Sequence, residues 1–140
     1  MPVRTTLLQI RTSGQGHIEN LTKPVADAVA QSGLRDGIVT VFVKHTTASV
    51  LIIEDEPGVR ADTTQVWNRL IPADPDWQHN VRNHGEDNAH SHQRGQLQGP
   101  SVTVPFCQGQ LTLGSWQQIV LLDFDTRGRT RDLVVQIIGE

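Results

Sequence analysis

Hydrophobic positions along this chain recur with two different periods, and each period predicts a different element. Val3 to Thr12 is rich in Thr, Leu and Ile and predicts a first strand, closed by the turn residues of SGQGH. In NLTKPVADAVAQSG, Val25, Ala28 and Val29 stand at i, i+3 and i+4 and predict a short helix. Thr22 suits its cap, Pro24 its first turn and Gly33 the left-handed position after it. GIVTVFVKHTTASVLIIED is dense in β-branched residues, with no Pro or Gly between Ile38 and Asp55. It is long enough for two strands, or for one strand broken near His45–Ala48. A second helix follows, with Asp55 or Glu56 near its start, Pro57 in its first turn and Val59, Val66, Trp67 and Leu70 on one face; Pro72 stops it. The polar connector PADPDWQHNVRN then leads into HGEDNAHSH. Three β-like runs close the chain: SVTVPF, QLTLGSWQQIVLLDFD and RDLVVQIIG. CQGQ reads as a hairpin turn between the first two, and DTRGRTR separates the last two. Too few helices alternate with strands for a doubly wound parallel sheet, so the order predicts an α+β fold in one domain spanning 1–140.

Composition narrows the function classes. Hydrophobic residues make up 36% of the 140 positions and charged residues 19%, the balance of a globular domain rather than a disordered chain. The formal net charge of -3, with no run of basic residues, argues against bulk attraction to nucleic acid. Cys107 is the single cysteine, so neither an intrachain disulfide nor a CxxC metal site can form. The N-terminus lacks a signal peptide's apolar centre, and no apolar stretch approaches the roughly 20 residues of a membrane helix. A cytoplasmic protein without membrane or nucleic-acid partners is expected.

The chemistry concentrates in HGEDNAHSH. If this segment is extended, His84, Glu86, Asn88, His90 and His92 share one face. The Cα atoms of His90 and His92 would then lie about 6.6 Å apart, and two imidazoles at that spacing can converge on one ion. His84, extended, would lie roughly 26 Å from His92, and joins only if the chain bends back at Gly85. The best third ligand is His45, whose parity matches the core-facing Val39, Val41 and Val43; His79 and His17, in polar loops, are weaker candidates. Thr46, Thr47 and Ser49 offer hydroxyls to line a polar pocket. Among Arg127, Arg129 and Arg131, Arg131 is the candidate anion clamp, since guanidinium binds phosphate bidentately. Each assignment has a plainer alternative. A strand-end histidine can simply be hydrogen-bonded, the arginines can lie in a solvated loop, and Trp67 and Trp116 can be core anchors.

Several of these motifs occur in one order: HTTAS at 45–49, IIEDE after it, HGEDNAHSH, GPSVTVP, GQLTLGSWQQIVLLDFD and the closing RDLVVQIIGE. In this the chain resembles the YjbQ family, described as secondary thiamine-phosphate synthases. The resemblance covers nearly the whole chain. It implies a compact α+β domain of packed mixed or antiparallel β-sheets with two main flanking helices, assembled as a homotrimer. It implies a pocket lined by the His-Thr-Thr and Asn-x-His-x-His segments, near a subunit boundary. His45, His84, His90 and His92 match the family's motif histidines; Glu54, Glu86 and Asn88 match its polar positions, and Trp116 and Gln117 its tryptophan–glutamine pair. The implied reaction joins an aminopyrimidine methyl diphosphate to a thiazole phosphate and releases diphosphate, so a phosphorylated small molecule is the expected partner.

Three readings follow. The first is that transferase, with Glu54, Glu86 and Asn88 as catalytic groups, and Thr46, Thr47, Ser49, Gln117 and Arg131 on the substrate. The second is a metal-dependent hydrolase, with hydroxide generated on a His-held ion. The third is a non-enzymatic trimer that binds a metal or small ligand. An imidazole set suits zinc, whereas a diphosphate suits Mg²⁺. All the metal-based readings require His45, His90 and His92 to meet around one point, with His84 as a fourth ligand or a supporting partner.

Overall fold

The β-branched runs form strands and the two amphipathic stretches form helices, in a computed structural model that describes all residues, Met1–Glu140. In chain order they are β1 (Val3–Arg11), β2 (His17–Asn20), α1 (Thr22–Ser32), β3 (Gly37–Val43), β4 (Ala48–Ile53), α2 (Pro57–Leu70), α3 (Gln78–Arg82), α4 (Ala89–Gln98), β5 (Ser101–Cys107), β6 (Gln110–Leu111), β7 (Gln118–Asp123) and β8 (Thr130–Gly139). One sheet has five strands in the order β1-β8-β3-β5-β6 and the other three in the order β2-β7-β4. Every pairing is antiparallel. This is the expected α+β class.

The layers explain the hydrophobic pattern. Inward residues of β3 and β8 (Val39, Val41, Val135, Ile137) pack with α1 (Val25, Val29) and with Ile119 and Leu121 of β7 in the main core. Val120 and Leu122, from the opposite face of β7, join Ile18, Leu51, Phe124 and Trp67 of α2 in a second core. β7 therefore lies between two apolar layers, which is why its sequence IVLL runs unbroken instead of alternating. No helix is long and apolar enough to cross a membrane.

Several expectations hold locally. The run from Ile38 to Asp55 is two strands, in different sheets, parted at Lys44–Thr47. CQGQ is a two-residue hairpin in which Cys107 pairs with Gln110, and Gln108 and Gly109 take φ of 53° and 76°. Glu56 caps α2 by accepting the backbone N–H groups of Gly58 and Val59, with Pro57 in the first turn. Gly33 ends α1 at φ 73°.

Others are corrected. Thr22 does not cap α1; its hydroxyl accepts the Ile119 N–H of β7 at 2.9 Å, joining the helix to the central sheet. The run QLTLGSWQQIVLLDFD is not one element, because β6 pairs in the larger sheet and β7 in the smaller. On α2 only Trp67 is buried, while Val66 and Leu70 face solvent. The polar connector contains α3. The most consequential correction concerns HGEDNAHSH, which is not extended: a turn at His84–Gly85 is followed by α4 from Ala89.

Candidate functional site

The sequence places an arginine, two aspartates and two threonines where the strands that carry them come together. Arg131, at the start of β8, donates from Nε and Nη2 to the two oxygens of Asp123, both at 2.7 Å. Its Nη2 also donates to the Thr47 hydroxyl at 2.8 Å. Thr47 in turn donates to Asp125 at 2.9 Å, and Thr12 donates to Asp123. Arg131 and Asp123 are almost fully buried. Such a pair persists in a dry interior only when further hydrogen bonds support it, and here Asp123 also accepts from the Thr12 hydroxyl and the Asp125 backbone N–H. Burial by itself would raise the Asp125 pKa. Hydrogen bonds from Thr47, the Thr126 backbone and Asn88, with the Arg129 charge, outweigh it and hold the carboxyl below its ordinary value.

Above this ionic floor opens a cleft of about 320 Å3 with no hydrophobic lining residue. The β3–β4 connection supplies His45, Thr46 and Thr47; α3 supplies His79; the start of α4 and the loop before it supply Glu86, Asn88 and His92; Asp125, Arg129 and Arg131 complete it. α4 can approach because Gly95 lies against the connection: a Cβ there would sit 2.8 Å from the Thr46 carbonyl oxygen. The N-terminus of α4 is tied to α3, since the Ala89 N–H donates to the Asn80 side chain at 3.0 Å.

Hydrogen bonds fix the imidazoles. The Asn88 amide donates from Nδ2 to Asp125 at 3.3 Å, so its oxygen is an acceptor, and His79 Nε2 donates to it at 3.1 Å. His79 therefore carries its proton on Nε2 when neutral. His45 Nε2 accepts the Asp132 backbone N–H at 3.0 Å, which places that ring's proton on Nδ1. The Asp132 carboxylate, 3.8 Å from the same nitrogen, is no ion-pair partner while that nitrogen accepts. His79 and His92 stand with ring centroids 4.5 Å apart, inclined at 55°. Burial, then the Arg131 charge, lowers the His45 pKa; burial, then His79, lowers that of His92. Arg129 reaches the cleft half-exposed, with Nε 2.9 Å from Asp125.

The structure thus brings His45, Thr46, Thr47, Glu86, Asn88, His92 and Arg131 together, and separates the rest. Two residues apart on a helix, His90 and His92 point about 200° apart, so His90 lines a different cavity. His84 is exposed in its turn, outside the cleft. Glu54 lies beyond the far end of β4, about 20 Å along the strand, beside Trp116. Gln117 accepts the Gly114 N–H in the β6–β7 connection, and Trp116 is exposed rather than a core anchor. Ser49 is fully buried within β4. Arg131 lines the floor of the cleft, but Asp123 and Thr47 occupy its guanidinium, whereas Arg129 presents the more accessible one. The sequence ranks His79 only as a weaker candidate, because it lies in a polar connector without periodicity, and gives no signal for Asp123 and Asp125, whose partners are mostly remote in the chain.

The donors do not fit a metal centre: no three His, Cys, Asp or Glu side chains are arranged to hold one ion. The zinc site expected at His45, His84, His90 and His92 is not formed, and the hydrolase and metal-binding readings built on it fall with it.

Comparison with known proteins adds the lineage. The family model described as UPF0047 protein YjbQ-like matches residues 6–140. A UPF0047 protein of Methanothermobacter thermautotrophicus is 34% identical over 140 residues, covering 100% of this chain and 95% of that one. The YugU protein of Bacillus subtilis is 30% identical over 133 residues, 94% of this chain and 97% of its own. A crystal structure of a YbjQ-like protein of unknown function from Sulfolobus solfataricus superposes with a TM-score of 0.93 at 30% identity, covering 99% of both chains. A YjbQ/UPF0047 structure from Clostridium acetobutylicum gives 0.86 at 34%, covering 95% of this chain and 99% of that one. These descriptions name no activity, and one states that the function is unknown, so the thiamine-phosphate synthase activity implied by the resemblance is not upheld. With the family model matching nearly end to end, the chain belongs to the YjbQ-like UPF0047 family.

Proposed function

We propose that the polar cleft is an active site for general acid–base catalysis on a small phosphorylated substrate. The observation that carries this reading is the His79–His92 pair, two imidazoles 4.5 Å apart in a cleft with no hydrophobic lining. Rings so close disfavour charging together, so one serves as base while its neighbour holds a proton. His92 is the base: its ring makes no hydrogen bond within the chain, and burial and His79 favour its neutral form. The Asp125 charge, then that of Glu86, acts in the opposite direction and favours the protonated ring. His79, oriented through Asn88 and Asp125, presents Nδ1 to the substrate and donates from it once protonated. Arg129, whose Nε lies 2.9 Å from Asp125 and whose Nη groups make no hydrogen bond within the chain, is the group that would take a phosphate.

Two measurements test this. Titration with inorganic phosphate is expected to show saturable binding that Arg129→Gln weakens by about tenfold. A panel of phosphate monoesters, assayed in chelator-treated buffer, is expected to include one that turns over, with His92→Gln lowering the rate by about 10²- to 10⁴-fold. Absence of phosphate binding, or equal turnover by wild type and His92→Gln, overturns the reading.

A further inference from the structure

The helical turn that sends His92 into the polar cleft sends His90 the other way, into a cavity of about 540 Å3. α2, the start of α4, the loop before β2 and the end of β7 enclose it. One wall is apolar: Leu122 of β7, Phe124 just beyond its end, and Trp67, whose ring meets Phe124 edge-on at 5.0 Å and 72°. The rest is polar, with Asn68, Asp87 and Arg94 around His90. This mixture, an apolar wall with a few convergent polar groups, is the usual make-up of a small-molecule site.

His90 is the anomaly in that wall. It is 8% exposed and makes no hydrogen bond within the chain, and its Nδ1 is sealed from solvent without a partner. The other buried polar groups on the same face of α4 are satisfied: Ser91 donates to the Phe124 carbonyl at 2.6 Å, and Arg94 to the Ile71 carbonyl at 2.7 and 2.9 Å. That nitrogen is packed away from the cavity, so Nε2, which also lacks a partner and is not sealed, is the one open to it; buried polar groups are nearly always paired, and a buried ring with neither nitrogen bonded marks a missing partner. Burial, then the Arg94 charge, lowers the ring's pKa, leaving a neutral imidazole with one N–H and one lone pair unused.

The charges around the cavity select the partner. Asp87 and Asp125 set two carboxylates against Arg94, whose guanidinium is already held by Ile71 and Asn68. Asp87 offsets the Arg94 charge and Arg129 offsets that of Asp125, so the cavity carries no net positive charge to hold an anion. We propose that this cavity binds a small uncharged aromatic molecule with hydrogen-bonding groups on one edge. His90 pairs with that edge, and the Trp67–Phe124 wall takes the apolar part. The inference stands on the cavity and its orphaned imidazole, independently of the reading given to the polar cleft.

Titration of the full chain with benzimidazole, followed by NMR, tests it. The expected result is saturable shifts of the His90 ring and Trp67 indole signals, with benzoate at equal concentration giving none. His90→Phe keeps a ring of similar shape but removes both nitrogens, and is expected to weaken benzimidazole about tenfold. Thr64→Phe, on the exposed part of α2 that lines the cavity, is expected to block it by a similar factor while leaving the fold intact. Absence of saturation in wild type, equal binding by His90→Phe and Thr64→Phe, or shifts confined to His79 and His92 would each overturn the proposal.

Discussion

Three histidines share one electrostatic signature. His45, His90 and His92 are all held below the ordinary imidazole value of 6.5, mainly by burial. Beneath that value the unfolded chain binds more protons than the folded one, so stability is full above it and falls as the pH drops through it. The urea midpoint is therefore expected to fall between roughly pH 7.5 and 5.5. A flat profile there would contradict the burial of the rings. His90 has a second signature. Its Nδ1 is buried without a partner, so His90→Phe is expected to raise stability by about 1 kcal/mol in urea unfolding even while it weakens benzimidazole. Arg131 behaves in the opposite sense. Arg131→Gln strands the buried Asp123 carboxylate, at an expected cost of about 3–5 kcal/mol in the same measurement. A loss under 1 kcal/mol would mean that water reaches the pair.

At the scale of elements, α4 decides where the chemistry goes. Its buried face is His90, Ser91, Arg94 and Gly95, a helical stripe written in polar and small residues. Hydrophobic periodicity is blind to such a stripe, and the spacing of His84, Glu86, Asn88, His90 and His92 imitates a strand instead. The cues for a helix were present but weak: Asn88 just before it, and Gly99 just after. Asn88 does not act as a cap by its side chain, because its amide is committed to His79 and Asp125. Gly95 tests the docking of this helix. Helix propensity favours Ala over Gly by about 1 kcal/mol, yet Gly95→Ala is expected to destabilise by about 1–3 kcal/mol, because its Cβ would press on the Thr46 carbonyl. Thermal unfolding measures it, and a stabilised variant would show that α4 can shift at no cost. Elements built from β-branched residues were legible throughout: β3, β4 and β8 lie where the sequence puts them, with Val39, Val41 and Val43 facing the core.

The whole molecule is layered, and its two sheets differ in what covers them. The smaller sheet has apolar layers on both sides, whereas the outer face of the five-stranded sheet is open, with Leu7 and Phe42 on it. Leu7, 72% exposed, paired with Val134, is expected to tolerate replacement by Thr within about 0.5 kcal/mol, while Val135→Thr, on the covered face, costs more than about 1 kcal/mol. Equal costs in urea unfolding would mean that the outer face is covered too. This layering also separates the sites. Glu54 and Gln117 lie near the strand ends remote from the cleft, and α4 divides the cleft from the aromatic-walled cavity.

By itself the sequence determined the α+β class, the hairpin at Gln108–Gly109, the start of α2 to within Asp55 or Glu56, and that the His-Thr-Thr and Asn-x-His-x-His segments share a polar pocket, because these rest on local propensity and on motifs that are contiguous in the chain. Only the tertiary structure decided which imidazoles meet. A one-residue change of partner on a helix turns a side chain by about 100°, and His79 reaches His92 through a helix of five residues that no periodicity announces. The ionic floor of Asp123, Asp125 and Arg131 was hidden for a related reason: its worth lies in burial and in contacts with Thr12, Thr47 and Asn88, and both are properties of the folded chain alone.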